Sequence, residues 1–301
     1  YRLPNGDILV TLTNSPPRDV GGIEGFIMKR LMGKAGAGEP SPNKLVLLRD
    51  TNGDGRADVK KVVREAGLDS PSGVAYRDGT LYVANHNALI AFDYELGSTQ
   101  ISGKPRKLLD LPGGGNHWMR NIVLSPDGEN LYIAVGSATN IGDDGMEAEE
   151  GRATIWEYDL ESGSARPYAT GLRNPNGLAW NPMSGELWTT VNERDMLGGD
   201  LVPDYLTNVP IGANYGWPEI TYGIDYSGDI ISDKTHMDGM KQPWVYWDPS
   251  IAPSGLTFYQ GDMFKEWNGD VLVGSLKFTH LRRIHVADGK TGEQFEYLRD
   301  N

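Results

Sequence analysis

Short apolar runs separated by glycine turns recur along the chain. The unit is a small residue, a proline or its equivalent, one more residue and a glycine. An apolar stretch, a turn and a second apolar stretch follow. It reads SPSGVAYRDGTLYVAN at 70–85, MRNIVLSPDGENLYIAVG at 119–136, RNPNGLAWNPMSGELWTTVN at 173–192 and APSGLTFYQGDMFKEWNGDVLVGSL at 252–276. Half a copy, YRLPNGDILVTLT, opens the chain at 1–13. Apolar and polar positions alternate on both sides of an Asn-Gly, Asp-Gly or Ser-Gly pair, which signals a β-hairpin. The turn glycines are Gly6, Gly79, Gly128, Gly185 and Gly269. Further strands are predicted at KLVLLRD (44–50), ALIAFDY (88–94), TIWEYDL (154–160) and LRRIHVA (281–287).

A repeated four-stranded unit with glycine-rich turns predicts an all-β chain folded as a β-propeller, against the alternative of a β-sandwich with accidentally similar hairpins. About five copies predict a six-bladed β-propeller that is incomplete at the chain ends, as in a trimmed version of a longer chain. The whole of 1–301 reads as a single domain. Three stretches interrupt the pattern: a short helical core and loop at about 20–42, an acidic loop at 141–151, and a polar stretch at 220–241. Long loops on a rigid scaffold are where function gathers.

Composition narrows the chemistry. The chain has 301 residues, and its lack of cysteine removes disulfides, thiolate metal sites and a cysteine nucleophile. Its net charge of −13 repels phosphate backbones, so nucleic acid is not an expected partner. No run of about 18 apolar residues is present to span a membrane. No basic-then-apolar leader opens the chain, so a signal peptide is either already removed or was never there.

Five constellations could carry chemistry. In DTNGDGRAD, Asp50, Asn52, Asp54 and Asp58 stand at positions 1, 3, 5 and 9 of a calcium-type loop, with Gly55 at the sharp turn. The Arg56 carbonyl would complete a structural Ca²⁺ site, whereas an Asx-rich hairpin loop is the plain alternative. In GGGNHWMRN, His117 precedes a strand beside Arg120 and Asn121, and a histidine there suits a general base. Packing under Trp118 would equally explain it. Arg173 and Asn174 hold the corresponding place in the next repeat, where a guanidinium fork suits carboxylates or a salt bridge between blades. In VNERDMLGGD, Asn192, Glu193, Arg194 and Asp195 leave a strand for a glycine-rich loop that could turn oxygens onto one cation. The downstream aromatics Tyr215 and Trp217 suit either a sugar ring or the core. Lys277 ends a strand in GSLKFTH, at a position matching His117, Arg173 and Asn192.

Taken together, HWMRNIVLSPDG, TGLRNPNGLAWNPMSGELW, the NERD and LGGD segments, NYGWP and APSGLTFYQGD with NGDVLVGSLK resemble the soluble PQQ-dependent sugar dehydrogenases. These form the glucose/sorbosone dehydrogenase family of six-bladed propellers. NERDMLGGDLVPDYLT looks closest to its sorbosone-dehydrogenase-like branch. The resemblance implies a quinoprotein oxidising an aldose or related sugar by hydride transfer to Ca²⁺-bound PQQ. In that scheme His117 is the general base. Arg120, Arg173, Asn174, Asn192 and Lys277 contact PQQ, and the carbonyls of Glu193 and Arg194 hold the catalytic Ca²⁺. Tyr215 and Trp217 line the substrate side. Ca²⁺ would polarise the quinone carbonyl, and the cofactor would do the redox work. The expected setting is periplasmic or secreted, with a quinone or cytochrome as acceptor. The rivals are a Ca²⁺-dependent lactonase-type propeller hydrolase and a non-catalytic binding propeller. Arg173 with Lys277 favours a tricarboxylate ligand over both.

Overall fold

The computed structural model describes residues 1–16, 41–195, 202–220, 234, 236–287 and 290–299. The helical core predicted within 20–42 lies outside the described residues, as does most of the 220–241 stretch. The chain divides into two compact units, Tyr1–Arg120 and Asn121–Asn301.

In the first unit, β1 (Ile8–Leu12), β2 (Lys44–Arg49) and β3 (Val59–Arg64) form one antiparallel sheet. A second is built from β4 (Gly73–Arg77), β5 (Thr80–Ala84), β6 (Ala88–Asp93) and β7 (Arg106–Asp110). The second unit holds three four-stranded sheets. They are β8 (Ile122–Leu124), β9 (Asn130–Val135), β10 (Thr154–Asp159) and β11 (Ala165–Thr170); then β12 (Pro175–Trp180), β13 (Leu187–Val191), β14 (Asp204–Asn208) and β15 (Val245–Trp247); and finally β16 (Pro253–Phe258), β17 (Val271–Ser275), β18 (His280–Ala287) and β19 (Lys290–Tyr297). In every sheet strand order follows chain order. These are the blades of an all-β propeller, and five are described.

All five predicted turn glycines adopt positive φ, between 71° and 90°. The tightest turn joins β4 to β5: Arg77 pairs Thr80, and Asp78 and Gly79 sit at φ 46° and 81°. Two consecutive left-handed residues define the turn that matches strand twist, so Asp-Gly is the sequence that closes it. The middle strands are buried on both faces, because each sheet packs against a neighbour. In β13, Leu187 and Val191 join Tyr132, Ile155 and Tyr205 in one core. Trp188 of the same strand points the other way, into a core with Leu206, Phe258, Val271 and Ile284. Burial of each such side chain contributes about 1.5–3 kcal/mol.

The recurring proline-x-glycine has a structural cause. At the start of β12, Pro175 pairs Val191 but Leu178 pairs Thr189, so Asn176 and Gly177 lie opposite Thr190 alone. Pro253 and Leu256 of β16 repeat that bulge against Ser275 and Val273. The residue before the glycine, like Asn121 at the same place before Ile122, reaches toward the next repeat. Ser72 Oγ donates to the Arg120 carbonyl at 3.0 Å, Asn121 Nδ2 to the Asn176 carbonyl at 2.7 Å, and Asn176 Nδ2 to the Pro253 carbonyl at 3.2 Å.

Candidate active site

His117 and Arg120 precede β8, Arg173 and Asn174 precede β12, Asn192 to Arg194 follow β13, and Lys277 follows β17. In the first unit, His117 and Arg120 lie on the loop between β7 and β8. His117 is half-buried and Arg120 is fully buried. Arg120 Nη1 donates to the carbonyls of His117 at 2.7 Å and Met119 at 2.9 Å, and Nη2 to that of Pro112 at 2.5 Å. Arg120 also exchanges hydrogen bonds with Ser72, through its amide at 2.7 Å and its carbonyl. The guanidinium of Arg120, expected to contact a cofactor, shapes the loop that carries His117.

In the second unit, Arg173 is 1% exposed. Its Nε donates to the Asn140 carbonyl at 3.0 Å and Nη2 to Asn140 Oδ1 at 2.7 Å and Asp195 Oδ2 at 3.1 Å. Nη1 donates to the carbonyls of Asn192 and Glu193. Arg173 therefore ties the loops after β9 and β13 together, a role closer to the salt-bridge reading than to a cofactor contact. The Glu193 carbonyl, expected to hold Ca²⁺ with that of Arg194, accepts from this guanidinium. Asn140, which the sequence reading passed over, also accepts from Trp217 Nε1 at 3.2 Å.

Around 251–253 the remaining residues come together. The Asn192 amide donates to the Asn174 carbonyl at 3.1 Å, and Asn192 Nδ2 to the Pro253 carbonyl at 3.1 Å. Lys277 lies in the turn at 276–279 between β17 and β18, beyond the strand end expected for it, and is exposed. Its amide is held by the Ile251 carbonyl at 3.3 Å, and its Nζ stands 5.1 Å from the Phe278 ring centre. Asp204, at the start of β14, joins the pieces: it accepts from the Glu193 amide at 2.9 Å, the Ala252 amide at 2.8 Å and the Ser250 hydroxyl. Polar residues at strand ends are common, and nothing in DYLTN set Asp204 apart.

Glu193 is buried, and among the described residues its Oε2 has no hydrogen-bond partner; the same holds for Arg194 Nε. Burial pushes the Glu193 carboxyl up to about 8, with Arg173 opposing and Asp204 reinforcing the shift. Burial also raises Asp204.

Tyr215 and Trp217, expected to line the substrate side, are both buried. Tyr215 is 1% and Trp217 7% exposed. The Tyr215 hydroxyl donates to the Asn208 carbonyl, and burial pushes it up to about 12. Their segment pairs with the end of β11, Tyr215 N donating to Thr170 O at 3.0 Å and Trp217 N to Gly171 O at 3.1 Å. A Cβ on Gly171 would stand 2.4 Å from the Gly216 nitrogen. Thus the TGL and NYGWP segments pack on each other.

The 50–58 loop is an exposed network of side chains bonded to its own amides. Asp50 accepts from Gly53 at 2.7 Å and Gly55 at 2.8 Å; Asp58 accepts from Thr51 N and Oγ1, both at 2.7 Å. These donors hold both carboxyls below the usual carboxylate range, Asp50 chiefly through the Gly55 amide and Asp58 chiefly through the Thr51 hydroxyl. Asn52 Oδ1 accepts from Asp54 N at 2.9 Å, and Asp54 Oδ1 from Arg56 N at 2.8 Å. Among the described residues no three acidic or histidine side chains converge as a metal cage.

With this geometry in view, the chain belongs to the glucose/sorbosone dehydrogenase family, whose model matches residues 84–300. It is 38% identical over 152 residues to the aldose sugar dehydrogenase YliI of Escherichia coli, a match covering 50% of this chain and 36% of that protein. The chain spans less than half the length of the first curated relatives it matches. A glucose dehydrogenase crystal structure superposes with TM-score 0.67 at 25% identity, covering 86% of this chain and 82% of that one. The PQQ-bound aldose sugar dehydrogenase of Streptomyces coelicolor shares the fold, with TM-score 0.66 at 19% identity over 99% of this chain and 80% of that one. No helix among the described residues is long and apolar enough to cross a membrane.

Proposed function

We propose that this chain is a PQQ-dependent dehydrogenase that oxidises an aldose or related sugar, sorbosone-like in class. The observation that carries the reading is the reach of the family match: residues 84–300 contain the His117 loop, Arg173–Asn174, Asn192–Arg194 and Lys277. Exposed Lys277 supplies a cationic donor of the kind that suits a polycarboxylate such as PQQ. Bound PQQ would supply an o-quinone able to accept hydride. His117, half-exposed on a loop fixed by Arg120, takes the hydroxyl proton of the sugar. Arg173 holds the Asn192 and Glu193 backbone in place through their carbonyls.

Calcium is proposed at the 50–58 loop on the spacing of its hard oxygens. The Glu193 carbonyl does not fit a cation while Arg173 occupies it, and no step is assigned to one there. A sixth blade and a periplasmic or secreted setting belong to the same proposal, supported by the family resemblance.

Spectral titration tests the activity. Purified protein in millimolar calcium should take up PQQ, and adding aldoses should reduce it. Failure to take up PQQ at tens of micromolar would overturn the reading, and lactone cleavage without PQQ would replace it with the hydrolase.

A further inference from the structure

His86 follows β5 in the turn at 85–87 and stands between two loops of the first unit. Its side chain is 12% exposed. On one side is Asp69, which precedes β4. The His86 amide donates to the Asp69 carbonyl at 3.1 Å, and His86 Nε2 lies 3.2 Å from Asp69 Oδ2. Asn87 Nδ2 donates to the same Oδ2 at 3.1 Å, and Asn85 Oδ1 accepts from the Asp69 amide at 3.0 Å. On the other side is the glycine-rich start of the loop carrying His117. The Leu111 amide donates to the Asn87 carbonyl at 2.8 Å, and the Gly114 amide donates to His86 Nδ1 at 3.3 Å.

An amide N–H can only donate, so Nδ1 must carry a lone pair there, which leaves the proton on Nε2 facing Asp69. The glycines allow the approach. A Cβ on Gly113 would stand 3.1 Å from Asn87 Cβ and 3.3 Å from His86 Cε1, while Gly114 and Gly115 turn the chain at φ 71° and 77°. Arg120 fixes the far side of the same loop through the carbonyls of Pro112, His117 and Met119.

We infer that His86 is a positioning residue: held by Asp69 in its Nε2–H form, it anchors through Gly114 the near side of the loop that presents His117. The inference rests on the reading of His117 as the base.

Two variants separate the two ends of the imidazole. His86→Asn places a carbonyl where Nδ1 was, and can still accept from Gly114. His86→Gln reaches the place of Nε2, keeping Asp69 and losing Gly114. Hydrogen exchange of peptide 112–118 is the first readout. It should stay within about twofold of wild type in His86→Asn and rise about fivefold in His86→Gln, the effect of losing one ordinary hydrogen bond. In PQQ-dependent dye reduction, kcat should fall about tenfold in His86→Gln with KM little changed, since a displaced base loses alignment rather than substrate binding. It should be largely restored in His86→Asn. Equal exchange in the two variants overturns the inference. If neither variant folds, ¹⁵N shifts of the wild-type imidazole decide, and an Nδ1–H tautomer or a doubly protonated ring overturns it. Absence of any PQQ-dependent turnover would sink the dehydrogenase reading alone, because the exchange and tautomer readouts do not depend on it.

Discussion

Asn140 Oδ1 accepts a hydrogen bond from Arg173 Nη2 at 2.7 Å and another from the Asp195 amide at 2.8 Å, so one side chain joins an arginine to the loop beyond β13. The carbonyls around Arg173 lose their donors if the fork is removed. Arg173→Lys should destabilise the cofactor-free protein by about 2–4 kcal/mol, because lysine cannot serve the Asn140, Asn192 and Glu193 carbonyls together. Denaturant unfolding without PQQ checks this. An unchanged midpoint with weakened PQQ uptake would return Arg173 to the role of cofactor contact.

Gly177 and Gly255 make a controlled pair. A Cβ on Gly177 would meet the Leu256 nitrogen at 2.7 Å and Thr190 Oγ1 at 2.9 Å, whereas one on Gly255 meets nothing within 4 Å. Gly177→Ala should cost about 1–3 kcal/mol, as overpacking against backbone cannot relax by a rotamer change. Gly255→Ala should leave the melting temperature nearly unchanged. Equal melting temperatures would refute the close approach.

Stability should fall with rising pH through Glu193. Its carboxyl titrates near the model-compound value of 4.5 when unfolded and about 8 when folded. Between those values the native chain holds the extra proton, so the stabilisation is complete below the lower value and is lost as pH rises through the upper one. Glu193→Gln should flatten the curve in that window, removing a slope of about 1 kcal/mol per pH unit. Urea midpoints measured across it would show whether the slope belongs to Glu193.

His117→Ala should cut sugar-dependent dye reduction by about 10²–10⁴ while PQQ uptake survives. Lys277→Ala should weaken PQQ uptake by the loss of a charge-assisted contact of about 1.5–3 kcal/mol. Two variants with wild-type turnover would exclude the proposed mechanism.

The inner hairpins were legible because alternation and Gly-centred turns report a local geometry: Asp78-Gly79 can do little else than turn. The outer strands β3, β7 and β11 were not. VKKVVR, RKLLD and ARPYAT each leave several residues exposed, so polar positions break the alternation at a sheet edge. At the site, residue types were visible but their partners were not. Arg173 looks the same in sequence whether its fork meets a cofactor or five backbone and side-chain oxygens. Tyr215 and Trp217 resembled a sugar platform because aromatic side chains serve binding and burial equally. His86 and Asp204 gave no signal, since their importance lies in contacts that cross loops.

The side chains of Ser72, Asn121 and Asn176 each end on a backbone carbonyl of the following repeat, at Arg120, Asn176 and Pro253. A carbonyl belongs to any residue, so this contact constrains the side chain of the donor and not that of the receiver; Asn176 stands on both sides of it. Copies of the unit can therefore differ at most other positions and still dock. The likeness between the repeats gathers at the start of each first strand, where it is readable in this chain.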